Sequence, residues 1–389
     1  DDFDRTDQEL QNFIQRILNT QPCHICIDTE FVRKDTYFPE LSLIQICEPN
    51  GQLTLIDPHP LNYLSEFDQI LQEPKICKVF HSARQDLEVL YLINHTLPKN
   101  IFDTQIAMIF SHQGETVGFA RTVNHLLNIE LEKSQTRTDW NLRPLSSDQL
   151  NYAMDDVFFL NLAYQTLLMN LNGDQKNALE EDCQQLLNTS IYQINTESYW
   201  CKLKGLRGLS PKQLAITKTL CQWREIFALE HNKPRKWTAS DEVILHIAKR
   251  PPKTEQALYK VPNIKASSVK AYGSEWISLI DDVFSQSSEN WPKPLPKSPK
   301  LREDEEPMFF LLSSFLSAIV LRYRIKVNSV CHRDQLIEFM RNPNNYASFG
   351  WRALLFFKPA RKLLSGQAHL LSENSQIILK ESNHLQERL

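Results

Sequence analysis

Short strand-like and helix-like segments interleave over the first 110 residues, after which almost everything reads as helix. Residues 23–29 (CHICIDT), 41–48 (LSLIQICE) and 52–57 (QLTLID) are short, apolar or β-branched, and bounded by Pro, Asn and Gly, the pattern of buried strands. A helical stretch at 61–72 leads to another strand-like run, KICKVF (75–80). A helix over 83–93 follows, with Leu87, Leu90 and Tyr91 at i, i+3 and i+4. This order predicts a mixed α/β domain over residues 1–200. Helix-period segments such as PKQLAITKTLCQWREIFALE, where Leu214, Thr217, Leu220 and Trp223 recur, predict an all-helical domain over 201–290. Residues 291–307 carry five prolines in 17 positions and read as a semi-rigid linker. The last block, 308–389, reads as helical. Its opening FFLLSSFLSAIVL is taken as a buried helix, because the Ser-interrupted run falls short of a bilayer span.

The net charge of −4 hides a division along the chain. Residues 1–200 hold 13 Lys+Arg against 29 Asp+Glu, a net of −16, whereas 201–389 hold 30 against 18, a net of +12. An acidic module joined to a basic one that meets a polyanion is the expected arrangement. Neither G-x-G-x-x-G nor G-x-x-x-x-G-K-[ST] occurs, so no phosphate cradle and no nucleotide cofactor are expected. Eight cysteines are too few for a disulfide framework, and Cys23 and Cys26 lie in an apolar run with no second Cys or His pair at zinc spacing. They read as strand residues. With no run of 18 apolar residues and an acidic, polar start over 1–10, a cytoplasmic protein without membrane association is expected.

Three positions bear carboxylates in telling contexts. Asp28 and Glu30 sit two apart in ICIDTEF, so a strand projects both to one face, about 7 Å apart, where they repel unless a cation lies between them. The plainer alternative is a strand end with both acids in water. Asp86, in HSARQDLEVL, falls in the first turn of a helix, where an acid also interacts with the helix dipole. In QLNYAMDDV, Tyr152 and Asp156 are four apart on one helical face, with Asp155 turned off it. A hydrogen-bonded Tyr–Asp surface pair would look the same.

Taken together, D-x-E, the Asp of H-S-A-R-Q-D and Y-x-x-x-D resemble the three exonuclease motifs of the DEDD superfamily, Tyr variant. The flanking IDTEF (27–31), YFPELSLIQI (37–46), VFHSARQDLEVL (79–90), IFDTQIA (101–107) and TDWNLRPLSSDQLNYAMDDV (138–157) resemble the ribonuclease D family in order and spacing. Residues 201–290 and, less closely, 308–389 resemble the two HRDC domains of that family. The resemblance implies an RNase H-like mixed-sheet exonuclease domain followed by two helical HRDC-type domains. It also implies 3′→5′ hydrolysis of single-stranded RNA to nucleoside 5′-monophosphates, with tRNA precursors as substrates. Asp28, Glu30, Asp86 and Asp156 are the implied metal ligands, and Tyr152 the implied positioner of water. Two divalent ions, Mg²⁺ or Mn²⁺, suit hard oxygen donors and a phosphodiester substrate. Asp28 is expected to be shared between them, Glu30 and Asp156 to serve the water-side ion, and Asp86 the other. A monomer is expected. Competing readings are an inactive nucleic-acid-binding scaffold, against which the intact acid set argues, and a DNA-directed exonuclease.

The basic half is expected to hold the RNA backbone. Lys233, Arg235 and Lys236 beside Trp237 form its densest basic-aromatic cluster, and Lys265 and Lys270 flank the VPNIKASSVKAYG turn. Arg322, Arg324 and Lys326 form another run, and each of these groups has a solvated helix face as its alternative. Gln45, polar in an apolar strand, is a candidate contact to the terminal nucleotide or else a core Gln; Phe31 is a candidate stacking residue. His81 is expected to be structural, Asp139 and Trp140 to lie in a packed loop, and Asp155 to be a surface acid.

Overall fold

A computed structural model of the chain describes residues 3–110, 117–131, 138–296 and 298–382. They form two compact units: Asp1–Phe31, Leu41–Ile191 and Pro299–Leu389 make one, and Val32–Glu40 with Tyr192–Ser298 the other.

The first unit is built on β1 (Phe3–Asp4), β2 (His24–Val32), β3 (Glu40–Cys47), β4 (Leu53–Ile56), β5 (Cys77–Phe80) and β6 (Ile101–Asp103). The sheet order is β1-β4-β3-β2-β5-β6, and it is mixed: β2 pairs with β5 and β5 with β6 in parallel, whereas β3 and β4 are antiparallel. Its helices are α1 (Asp7–Thr20), α2 (Asp68–Gln72), α3 (Arg84–Asn94), α4 (Thr104–Ile109), α5 (Phe119–Leu127), α6 (Ser147–Asn170) and α7 (Gly173–Leu186). The strands expected from sequence appear within one to three residues of their ends, and the mixed α/β class holds. Two short parallel strands, β1 and β6, escaped the reading because two or three residues carry no periodicity. The start of α6 follows from local chemistry: Ser146 accepts from the Gln149 N–H, while the Gln149 side chain accepts from the Ser146 N–H. That cap sets the phase of every residue on the helix, Tyr152 and Asp156 included.

Residues 299–382 fold with the first unit. They comprise α8 (Glu306–Tyr323), α9 (Val327–Val330), α10 (Arg333–Arg341), a π-helical turn at Ala353–Phe357, α11 (Lys358–Leu364) and a hairpin of β7 (Ala368–Glu373) and β8 (Gln376–Glu381). The hairpin corrects the expectation that this block is all helix. Its turn residues Asn374 and Ser375 both take positive φ, as a tight two-residue hairpin turn demands. The segment around Gly350 docks on α7. The Trp351 N–H donates to Glu181 at 2.8 Å, and Arg352 grips Asp182 through Nη1 at 2.6 Å and Nη2 at 3.0 Å. Gly350 has φ of +90°, and a Cβ there would lie 2.6 Å from a Glu181 oxygen, so only glycine lets the backbone come this close. Counted from Glu303, α8 is long and apolar enough by length and composition to cross a membrane, contrary to the sequence estimate. In this fold its Leu312, Phe315, Leu316 and Ile319 are buried.

The second unit contains α12 (Pro211–Glu230), α13 (Asp241–Lys249), α14 (Glu255–Leu258) and α15 (Ala266–Ser285) around a core that includes Leu214, Leu220, Ile244, Leu258 and Trp276. Ser210 caps α12 by accepting from the Gln213 N–H, and Pro211 in its first turn has no N–H to leave unpaired. The segment 32–40 belongs to this unit through Tyr37. Its hydroxyl donates to fully buried Glu225 at 2.8 Å, and its N–H donates to Asn232 at 3.0 Å.

Candidate active site

Residues 24–27 of β2 are buried, and the strand emerges from the core at Asp28. His24 at its base hydrogen-bonds Asn161 of α6 at 2.8 Å, which fixes strand and helix side by side. Further along β2, and further back along α6, the carboxylates meet. Oxygens of Asp28, Glu30 and Asp156 all lie within 4.8 Å of one another. The D-x-E pair and the helical acid, 126 residues apart at their nearest, are thus one cluster.

Asp86 stands in the first turn of α3, only 6% exposed. One of its oxygens accepts from the Thr29 hydroxyl at 2.6 Å and from the Thr29 N–H at 3.2 Å. Asp86 is therefore held just outside the tight trio, with one oxygen engaged by the middle residue of D-x-E. The Tyr152 hydroxyl is hydrogen-bonded to Asp156, and its ring lies 6.1 Å from that of buried Trp140.

The electrostatics of the cluster make it a candidate cation site. Burial, then the charges of Asp28, Asp156 and Asp86, push Glu30 up to about 9. Burial, then Asp28, pushes Asp156 up to about 8, while burial, opposed by the Thr29 N–H, takes Asp28 to about 6. Asp86 is raised by burial and then by Asp28. Among the described residues no Lys or Arg is paired with Asp28, Glu30 or Asp156. Close-set, desolvated carboxylates without a counter-ion are the hard-oxygen donor set that a divalent cation satisfies.

This has a measurable consequence for stability. Folding raises these pKa values, so the folded state favours the protonated carboxyls. Their stabilising contribution is present below the unfolded carboxylate range, near pH 4, and is lost as pH rises through the folded values of about 6 to 9. Chelator-treated protein should therefore lose thermal stability from about pH 5 to about pH 9, and saturating Mg²⁺ should restore most of it at the alkaline end. A chelated melting temperature that stays flat or rises across that window would contradict the clustered geometry.

One organising residue went unread. Asp103, at the end of β6, is 2% exposed and caps α4 by accepting from the Gln105 N–H at 2.8 Å. The same carboxylate accepts from the N–H groups of Ser82 at 3.0 Å and Ala83 at 2.8 Å, the loop that launches α3 and Asp86. Ser82 has φ of +61°, a left-handed backbone that needs such an external hold. The sequence signal was there: an Asp directly before a helical run is an N-cap. Asp103→Ala should cost roughly 2–4 kcal/mol, through a lost cap and buried N–H groups left unpaired. It should also lower kcat, because Asp86 loses its support. Urea melts within 0.5 kcal/mol of wild type would refute this role.

The neighbours sort as follows. His81 is held by Thr104 at 2.9 Å and the Val117 carbonyl at 3.0 Å, and desolvation lowers its pKa, so it is a neutral structural group. Asp155 is exposed and Trp140 is packed, while Asp139 ties its loop by accepting from the Asn141 N–H. Gln45 is fully buried, with neither amide atom hydrogen-bonded among the described residues, which places it in the core rather than on a substrate-facing surface. Lys233 lies over the Trp237 ring at 5.2 Å, and Lys236, Lys265 and Lys270 are exposed. Arg235, by contrast, is committed inward. Its Nε lies 2.6 and 2.7 Å from the two Glu225 oxygens, and its Nη2 donates to Tyr37 at 2.7 Å.

Comparison with known proteins agrees with this architecture. The 3′-5′ exonuclease family profile matches residues 4–172, and the HRDC domain profile matches 213–280. Ribonuclease D of Bartonella henselae is 30% identical over 92% of this chain and 89% of its own length. Ribonuclease D of Jannaschia sp. is 30% identical over 97% of this chain and 98% of its own. The crystal structure of Escherichia coli RNase D, described as an exoribonuclease involved in structured RNA processing, superposes with a TM-score of 0.81 at 25% identity, covering 94% of this chain and 98% of that one. An exonuclease fold bearing a D-x-E, Asp and Y-x-x-x-D cluster, followed by an HRDC domain and matched end to end by such relatives, leaves one conclusion: the chain belongs to the ribonuclease D family of 3′→5′ exoribonucleases.

Proposed function

We propose that Asp28, Glu30, Asp86 and Asp156 hold two divalent cations, Mg²⁺ or Mn²⁺, and that the chain, as a cytoplasmic monomer, trims the 3′ ends of tRNA precursors to nucleoside 5′-monophosphates. One observation carries the residue roles: Asp28 is the charge that Glu30, Asp86 and Asp156 each feel most strongly. A carboxylate central to the other three is the natural shared ligand. When bound, the cations supply an activated water and neutralise charge on the cleaved phosphodiester.

The chain's own groups do the rest. Glu30 and Asp156 close the donor set around Asp28, and Thr29 fixes the rotamer of Asp86 so that its second oxygen is presented. Tyr152 holds Asp156 through its hydroxyl. With Asp156 holding a cation, that hydroxyl would be available to orient a water. Support for a structured RNA substrate comes from the description of the Escherichia coli relative as an exoribonuclease involved in structured RNA processing. Incubation of 5′-labelled single-stranded RNA and DNA with Mg²⁺, Mn²⁺ or chelator is the test. A ladder shortening from the RNA 3′ end only with metal is expected. Products without metal, or none on any substrate, would overturn the reading.

A further inference from the structure

The second unit contains a cavity of about 420 Å³ that the exonuclease chemistry does not use. Segment 32–40 forms part of its wall with Arg33 and Lys34, and the helical domain brings Arg224, Arg235 and Lys236. Five cations thus face a space in which Asp241 is the lining carboxylate, with Glu225 behind Arg235. Both acids are already answered. Arg224 donates to Asp241 at 2.8 Å, and Arg235 grips Glu225 at 2.6 Å.

The wall is rigid where it matters. The Arg235 guanidinium is sandwiched between the rings of Tyr37 at 4.4 Å and Tyr199 at 4.3 Å. Arg224 is 1% exposed; its Nη1 donates to the Ala239 carbonyl at 2.9 Å, and its Nε lies 3.9 Å from a carboxylate oxygen of buried Glu225. Ser240, the N-cap of nine-residue α13, also lines the cavity and adds the positive end of a helix dipole. Lys34 and Lys236 are exposed at its mouth, with no ion pair among the described residues.

We propose that this cavity is a phosphate-holding subsite for the backbone of single-stranded RNA, with Lys34 and Lys236 as the entry cations and Arg224 and Arg235 as the fixed positive floor. Its volume suits one nucleotide of a strand. The proposal deepens the reading of the chain as an RNA exonuclease and rests on it.

The test is RNA affinity in chelator, where no hydrolysis occurs, read by fluorescence anisotropy across a salt series on the full chain. Lys34→Gln/Lys236→Gln should raise the Kd about tenfold and flatten the salt slope by about 1.4, two phosphate contacts at about 0.7 each. Lys34→Arg/Lys236→Arg keeps both charges and should keep the slope. Lys253→Gln/Lys260→Gln removes two exposed lysines outside the cavity and should cost clearly less. Equal losses from the two Gln pairs, or an unchanged slope in the first, would overturn the subsite. Free 5′-AMP tests the other source of a phosphate. If AMP binding depends on Lys34 and Lys236 while RNA affinity does not, the strand assignment is wrong. Loss of metal-dependent RNA shortening by the wild-type chain would instead strike the underlying reading, and that readout is independent of the binding series.

Discussion

Asp28→Asn should abolish RNA hydrolysis, with kcat falling about 10³-fold or more, while RNA affinity measured in chelator stays within about threefold of wild type. Several kcal/mol of transition-state stabilisation come from cations held at such a site. At 1.36 kcal/mol per factor of ten, that is roughly three orders of magnitude. Asp28 is the charge most strongly felt by each of the other acids, so its loss disrupts the whole donor set rather than one ligand. Removing a charge from a repelling buried cluster also relieves strain. The Asn variant should therefore melt at or above the wild-type temperature in chelator at pH 8, and should lose the stabilisation that Mg²⁺ confers on wild type. Activity near the wild-type level would remove Asp28 from the mechanism, whatever the melting data show.

Tyr152→Phe should lower kcat about 10²-fold with KM for RNA little changed, since positioning and proton handling at the attacking water are worth a factor of this size. Only a hydroxyl is removed. The ring keeps its place near Trp140, so folding and metal affinity should survive. The hydroxyl now bonded to Asp156 also helps hold that carboxylate ionised, so its loss should shift the acidic limb of the pH–rate profile upward as well. A variant that turns over like wild type would leave Tyr152 as a mere partner of Asp156.

How much of this the sequence disclosed depends on the range of each interaction. The pair Asp28 and Glu30 was legible because strand alternation is local, and Tyr152 with Asp156 because a helical turn is local. The strands β2 to β5 were legible for the same reason. Their convergence was legible only through the family resemblance, and the contact that fixes it was not: Thr29 clasps Asp86 57 positions away, which no periodicity encodes. Similarly, Tyr37 reads as part of a strand-flanking motif, yet its hydroxyl is buried against Glu225, 188 positions on. Arg235 shows what a local pattern leaves out. In a run of basic and aromatic residues it looks like a surface contact, but the Glu225 that claims it lies ten residues back on α12, where the pattern shows only an amphipathic helix. The block after residue 299 was read as a separate helical domain because a Pro-rich linker precedes it. Its union with the first unit rests on contacts from Gly350, Trp351 and Arg352 to α7 that have no local signature.

Anomalous scattering from crystals soaked in Mn²⁺ tests most directly whether the buried carboxylates form a divalent-cation centre. The expected result is strong peaks in direct coordination to Asp28, Glu30 and Asp156, with a second ion reaching toward Asp86, at Mn²⁺ concentrations that support RNA hydrolysis. Active crystals with no peak among these four side chains would contradict it.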